Sequence, residues 1–323
     1  MDNKMEPLVH KPAAHPEWNE SYYLCFSDRV NGVSGMTRLG FKPNKQEATT
    51  FFLLFLPDGS VAGFQATEKM SGSTDHLRVA GMTHERHPDG SWHYTFKGMM
   101  AVVKNPTDFP KIREKPALIT AMLPTSMHLV FHPIQPTYEY SENMTPESLE
   151  IGKKSGDEHW EQMAKIDGEI KVGNLVYALR NVLGERDHTH GVRDWTGIGN
   201  WIYYVVWFNE QLAINPAAIV LDDGRISVGG YIWKEGENTP LIGFRIIDQQ
   251  FVDSIIPVSS VLELTDKKGV IHVLRGRAGP VVPLPFIDEK GGISVLAQSF
   301  GEYELDGVKG GYGTYETLRV SRP

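Results

Sequence analysis

The run Glu185-Arg186-Asp187-His188-Thr189-His190-Gly191-Val192-Arg193-Asp194-Trp195 packs three carboxylates, two imidazoles, two guanidiniums and an indole into eleven residues. Carboxyl groups with basic neighbours can serve as proton donors and acceptors, and an apolar setting lifts their pKa values toward neutrality. Asp187 is the expected proton donor, with His188 or His190 setting its protonation state. Asp194 is suited to activating or orienting water, and Arg193 to holding it ionised. The same composition also describes a structural ion-pair network, and the run alone does not separate the two readings. Two imidazoles one residue apart, with Asp194 near, raise the question of zinc or iron. No third histidine stands at a matching spacing, so neither a metal nor any other cofactor is expected.

A second polar–aromatic cluster is Trp18-Asn19-Glu20-Ser21-Tyr22-Tyr23. On a strand, Glu20 shares a face with Tyr22, Leu24 and Phe26, a costly place for a carboxylate without a partner. Arg38, in the next expected strand, is the candidate partner. Alternatively Glu20 lies at a pocket mouth and handles water from the side opposite Asp187. The run Trp201 to Phe208 alternates Trp201, Tyr203, Val205 and Trp207 against Tyr204, Val206 and Phe208. Trp195, Tyr203 and Trp207 could offer π faces to developing positive charge. Ordinary barrel packing accounts for the same pattern.

These residues need strands to position them, and strand signals dominate. Phe51 to Leu56 runs into Pro57-Asp58-Gly59 and returns from Ser60; Met82 to Arg86 runs through His87-Pro88-Asp89-Gly90 to Trp92. Proline presets the first turn angle in each, and glycine supplies the positive φ. Gly173-Asn174 and Asp222-Asp223-Gly224 mark two further hairpins. Thr145-Pro146-Glu147 reads as a helix start reaching to about Lys153. Asn105 to Pro124 reads as a long connection with a helical turn near Ala117 to Met122. A boundary near 155/156 gives an N-terminal domain, 1–155, and a C-terminal domain, 156–323, each long enough for an eight-stranded barrel.

Composition narrows the function. With 323 residues and a net charge of −8, no basic surface is available for nucleic acid. Cys25 is the single cysteine, so there is no intrachain disulfide. Neither a signal-type leader nor a membrane-length apolar run is read from the sequence, and a cytoplasmic location is expected.

Several of these segments resemble a known group. Trp18 to Tyr23, Gly35 to Asn44, His159-Trp160-Glu161-Gln162, the Arg186 to Trp195 run and Gly311-Tyr312-Gly313-Thr314-Tyr315-Glu316 are similar to motifs of the AttH-like and carotenoid-hydratase-like (CrtC-like) lipocalin superfamily. The family commonly has Ser-Trp where this chain has Thr189-His190. The resemblance implies an all-β fold of two tandem lipocalin or calycin-like antiparallel barrels with few short helices. It also implies an internal apolar cavity, in members that include hydratases and Diels–Alder-type cyclases. Trp18, Tyr22, Arg38, Glu161, Gln162, Trp195, Trp201, Tyr203 and Trp207 are the expected ligand-contacting set. Asp187, His188, His190, Arg193, Asp194 and Glu20 are the expected catalytic set. The expected partner is an apolar, unsaturated small molecule of terpenoid or polyketide type, and the expected reaction is hydration, dehydration or isomerisation by acid–base chemistry. A non-catalytic lipophilic carrier and a pericyclic cyclase are the alternatives.

Overall fold

The structure, a computed structural model, describes residues 6–70, 77–153, 155–288 and 291–321. Eleven strands form the first sheet: β1 Trp18–Asp28, β2 Val33–Lys42, β3 Glu47–Phe55, β4 Val61–Lys69, β5 Arg78–Val79, β6 Met82–Arg86, β7 Trp92–Val103, β8 Ile119–Pro133, β9 Tyr138–Glu139, β10 Glu158–Val172 and β11 Leu175–Val192. Ten form the second: β12 Asn200–Tyr203, β13 Val206–Asn209, β14 Leu212–Val220, β15 Ile226–Lys234, β16 Glu237–Val252, β17 Ile256–Asp266, β18 Ile271–Ile287, β19 Ile293–Leu305, β20 Val308–Thr314 and β21 Glu316–Ser321.

Each sheet closes on itself. The first runs β4-β3-β2-β1-β11-β10-β8-β7 and back to β4, an eight-stranded antiparallel barrel with no open edge on that ring. The second runs β12-β21-β19-β18-β17-β16-β15-β14 and back to β12, while β13 and β20 pair alongside. The fold is thus two tandem lipocalin-like barrels. Among the described residues no helix is long and apolar enough to cross a membrane.

The hairpins anticipated from turn chemistry are present as β3–β4, β6–β7, β10–β11 and β14–β15. The helix is α1, Pro146–Gly152, and the Thr145 hydroxyl accepts from the Ser148 amide at 3.2 Å. Two expectations change. The connection after Asn105 holds two 3₁₀ turns, Pro106–Lys111 and Pro116–Leu118, and β8 begins at Ile119, where loop was expected. The chain passes between sheets at residues 193–199 rather than at 155/156, because β10 and β11 complete the first ring. Only β1, β2, β3, β4, β7 and β8 of that ring precede residue 156, too few to close it.

Each barrel has its own apolar interior, around Leu24, Phe52 and Phe96 in the first and Tyr204, Leu262 and Leu274 in the second. A third apolar group, including Tyr23, Cys25, Trp207, Tyr231 and Val282, fills the space between the barrels. The segment after β8 fixes their relation. The Tyr138 hydroxyl donates to the Gly230 carbonyl at 3.1 Å, the Ser227 hydroxyl to the Ser148 carbonyl at 2.7 Å, and Gln135 Nε2 to the Tyr231 hydroxyl at 2.8 Å.

Gly230 occupies the left-handed region at φ +96°, and a Cβ there would lie 1.8 Å from the Asn215 carbonyl oxygen. Gly230→Ala is expected to cost about 2 kcal/mol or more, through backbone strain and displacement of Asn215. Urea denaturation measures this, and an unchanged midpoint would contradict the crowding.

Candidate functional site

β1, β10 and β11 form one wall with two faces. The β1–β11 register pairs Tyr23 with Asp187 and Tyr22 with His188; the β10–β11 register pairs Glu161 with Asp187 and Trp160 with His188. Side chains alternate, so over residues 18–26, 158–166 and 182–192 odd-numbered residues face the second barrel and even-numbered residues face the interior of the first. Two polar networks stand back to back on this wall.

The even-numbered face is closed by the segment that begins at Glu6. Arg186 grips the Glu6 carboxylate through both terminal nitrogens, at 3.0 and 2.5 Å, and lies over the Trp92 ring at 4.6 Å. His188 Nδ1 meets Glu6 Oε1 at 2.8 Å and its Nε2 meets Glu20 Oε1 at 3.0 Å. His10 Nδ1 also meets Glu20 Oε1, at 2.8 Å, and the His10 ring stacks on His190. Burial opposes charge on Glu6, but Arg186 and His188 overcome it and hold the carboxyl well below its usual range. Burial likewise opposes charge on His188, and its two carboxylate partners more than compensate, so its pKa is raised.

The odd-numbered face opens into a cavity of about 1010 Å³ between the barrels. Asn19, Ser21 and Tyr23 of β1, Arg38 of β2, His159 of β10, and Asp187 and Thr189 of β11 line one side. Trp201 and Tyr203 of β12, Gln298 of β19 and Glu316 of β21 line the other, with Phe51, Met99 and Phe286 among the apolar walls. Its size lies at the upper end of ordinary small-molecule sites, about 300–1000 Å³.

Directly behind this wall are two fully buried carboxyls, Glu161 and Glu185. Glu161 Oε1 accepts from the Tyr203 hydroxyl at 2.7 Å and meets His159 Nε2 at 2.7 Å. The Tyr231 hydroxyl donates to Glu185 Oε1 at 3.3 Å. Glu161 and Glu185 interact closely, and two like charges buried together are costly, which favours keeping a proton on the pair. Burial pushes Glu161 up to about 8, and burial together with Glu161 drives Glu185 well above the carboxylate range. His159 is held neutral, burial bringing it down to about 4. The Thr189 hydroxyl, 3.2 Å from His159 Nδ1, fits the tautomer that places the proton on Nε2. Glu316 is pushed up to about 7 by burial, although Gln298 Nε2 at 2.5 Å and Trp201 Nε1 at 3.0 Å both favour its ionised form.

Of the residues singled out from sequence, Asp187, Arg193, Arg38, Trp195, Trp201 and Tyr203 line the cavity, and Glu161 lies immediately behind it. His188, His190, Glu20, Trp18, Tyr22 and Gln162 are on even-numbered positions and belong to the first barrel. His188 therefore does not set the state of Asp187, its neighbour across the strand. The imidazole nearest Asp187 on its own face is His159, its Nε2 lying 3.9 Å from Asp187 Oδ2. Glu20 pairs with His10 and His188, not with Arg38, whose Nη2 donates to Asn19 Oδ1 at 3.2 Å. Asp194 is exposed and accepts from the Gly197 amide at 2.9 Å, while Arg193 Nε donates to the Ser155 carbonyl at 3.0 Å. The expected Arg193–Asp194 pair is absent among the described residues. Trp207 is fully buried against Tyr312, outside the cavity. Trp195 stacks on Phe286 at 4.3 Å and carries the Arg193 guanidinium at 5.1 Å, so its ring is already engaged.

His159, Glu185 and Glu316 were given no role from sequence, although each lies within a motif read above. Counting alternate positions along β10 and β11 groups His159 and Glu161 with Glu185 and Asp187, the one signal that separates this set from the histidine face. Three groups have the ligand types of a metal site: His10/Glu20/His188, His10/Glu158/His190 and His159/Glu161/Asp187. Asp194 belongs to none of them. The second reaches the cavity through Glu158 alone; the third faces it through His159 and Asp187, and there Glu161 Oε1 is already taken by Tyr203 and His159.

The chain belongs to the family described as a domain of unknown function, DUF7064, whose model matches residues 6–321. No curated protein matches. Among solved structures, a protein assigned as AttH from Nitrosomonas europaea is similar with a TM-score of 0.62 and 12% identity, over 97% of this chain and 98% of that one. CghA is similar with a TM-score of 0.57 and 9% identity, over 98% and 94%. Kievitone hydratase from Nectria haematococca gives 0.54 and 10% identity, over 93% and 88%. These likenesses establish the AttH-like fold.

Two outcomes follow for stability. Glu6→Ala leaves Arg186 buried without its counterion and His188 with Glu20 alone, and is expected to cost about 3–5 kcal/mol in urea denaturation; a loss below about 1 kcal/mol would show the network to be dispensable. The carboxyl pair acts with the opposite sign. From the ordinary carboxylate range up to about 8, the folded chain keeps a proton that the unfolded chain has released, so stability falls as pH rises. Glu185→Gln removes the part of that proton uptake that belongs to Glu185. The difference in stability between the variant and the parent protein should therefore grow in the variant's favour across this window, and a pH-independent difference would refute the shared proton.

Proposed function

We propose that this DUF7064 protein binds an apolar, unsaturated small molecule between its barrels and catalyses cofactor-independent hydration, dehydration or isomerisation by proton transfer. The observation that carries this reading is the carboxyl pair Glu161–Glu185, joined to the cavity through Tyr203 and His159. A carboxylic acid kept neutral near pH 7 is a proton source, and one buried behind the wall is screened from solvent.

In the hydration direction the Tyr203 hydroxyl gives its proton to one carbon of a C=C bond as the Glu161–Glu185 pair replaces it. Burial raises the Tyr203 pKa well above its usual value, so a free tyrosinate is disfavoured and the two transfers are concerted. Cationic character develops at the other carbon, beside Trp201 and the Tyr203 ring. Water adds there and releases a proton to Asp187. His159, with its proton on the Nε2 that faces both carboxyls at 3.9 and 2.7 Å, orients Asp187 and Glu161, and the proton returns to the pair by exchange with water as product leaves. The cycle consumes one water, forms one C–H and one C–O bond, and restores every protein group. Dehydration is the same path reversed, and isomerisation replaces water addition with loss of a neighbouring C–H proton. The solved hydratase with this architecture, kievitone hydratase, supports the reading by analogy only.

The test uses solvent isotope. Apolar metabolites extracted from the source cells are incubated with the protein in D₂O, and products are read by mass spectrometry. One carbon-bound deuterium per turnover is expected. Glu161→Gln should lower the rate by about 10²-fold or more, and activity should fall as pH rises past about 8. Turnover with neither deuterium gained at carbon nor loss of water, the mark of dehydration, would point instead to cyclisation, and the proton-transfer assignment would be lost.

A further inference from the structure

Arg38 and Arg193, two of the three arginines on the cavity wall, are not used by the proton network. Arg38 points from β2 beside Asn19, and Gly40 makes room for it: a Cβ at Gly40 would lie 2.4 Å from Arg38 Nη1. Arg193 follows β11, held through its Nε by the Ser155 carbonyl and by the Trp195 ring beneath it. Both arginines line the cavity, and these tethers leave Arg38 Nη1 and both terminal nitrogens of Arg193 without a hydrogen-bond partner among the described residues. Among the described residues neither arginine forms an ion pair. Asp187 and Glu316 act on both only at longer range, and the two positive charges repel each other. Burial and that repulsion bring Arg38 down to about 10, so it stays cationic at neutral pH.

Unpaired buried charge is costly, and the guanidinium fork matches an oxyanion in two-point geometry. The rest of the cavity is largely apolar, with Phe51, Leu53, Phe109 and Leu284 on its walls. We propose that Arg38 and Arg193 form an anion subsite, so that the bound molecule carries a carboxylate or comparable oxyanion on an apolar body. This rests on reading the cavity as the ligand site and is independent of the catalytic step. It also sets orientation, because the acidic end is held at the arginines and an unsaturated carbon is presented to Tyr203.

The experiment compares two fluorescent probes that share a naphthylamine body, 8-anilinonaphthalene-1-sulfonate and the uncharged N-phenyl-1-naphthylamine, titrated into the full chain. The parent protein should bind the sulfonate about 10-fold more tightly, the effect of charge-assisted hydrogen bonds. The double variant Arg38→Gln, Arg193→Gln should lose that preference and keep its affinity for the neutral probe within about threefold. Arg38→Lys keeps the charge without the fork and should fall between. Ala217→Trp, which fills the cavity, should abolish both signals and so locate the probes. Equal affinities in the parent protein, or a preference that survives the double variant, would overturn the subsite and leave the cavity reading standing. Absence of binding by either probe would remove the cavity reading and the subsite with it.

Discussion

A β-strand sends consecutive side chains to opposite sides, and in this molecule three neighbouring strands do so in the same phase. The shared phase of β1, β10 and β11 follows from their registers, in which Tyr23, Asp187 and Glu161 lie abreast. It converts one dense polar sequence into two separate chemical environments. Asp187 and His188 are covalent neighbours, yet one faces a cavity and the other is sealed inside a barrel. The remaining architecture serves this wall. The first barrel closes only when β10 and β11 join it, and the second barrel supplies the opposite side of the cavity.

The environments differ in how charge is compensated. Glu6 lies in a small volume with Arg186 and His188, and the attraction outweighs the loss of solvent, so it is ionised. Glu161 and Glu185 are buried to a similar degree, but each lies beside another carboxyl rather than a cation, and the less costly state retains a proton. Burial is common to both sites, and the sign of the neighbour decides the outcome. Tyr203 and Tyr231 then each donate to one oxygen of Glu161 and of Glu185 respectively.

Much of the fold is legible in the sequence because its signals are local. Pro-Asp-Gly and Gly-Asn turns place hairpins, and period-two alternation assigns faces. The alternation from Trp201 to Phe208 holds even though the strand breaks at Tyr204 and Val205, since a two-residue interruption preserves parity: Tyr203, Val205 and Trp207 face the inter-barrel core, and Tyr204 and Val206 the barrel interior. What was not legible depends on distant parts of the chain. The helix signal at Thr145 is real, yet α1 is an excursion that packs on the second barrel before β10 returns to the first. The histidine face drew attention because His188 and His190 are the more reactive types. That the segment from Glu6 to His10 fills that side is a tertiary fact with no local signature. Thr189-His190 shows the consequence, since the indole-to-imidazole departure points away from the cavity, while Thr189 supports His159 within it.

The matched phase of the three strands has a consequence for how such a protein can diverge. Residues 185, 187 and 189, with 159 and 161 beside them, are exposed to selection for chemistry, whereas 186, 188 and 190 are exposed to selection for folding. A change on one side alters a neighbour in sequence that is a stranger in space. Descendants of this chain can therefore explore new ligands along one parity of the wall while the other parity is inherited intact, which separates innovation from structural risk within a single strand.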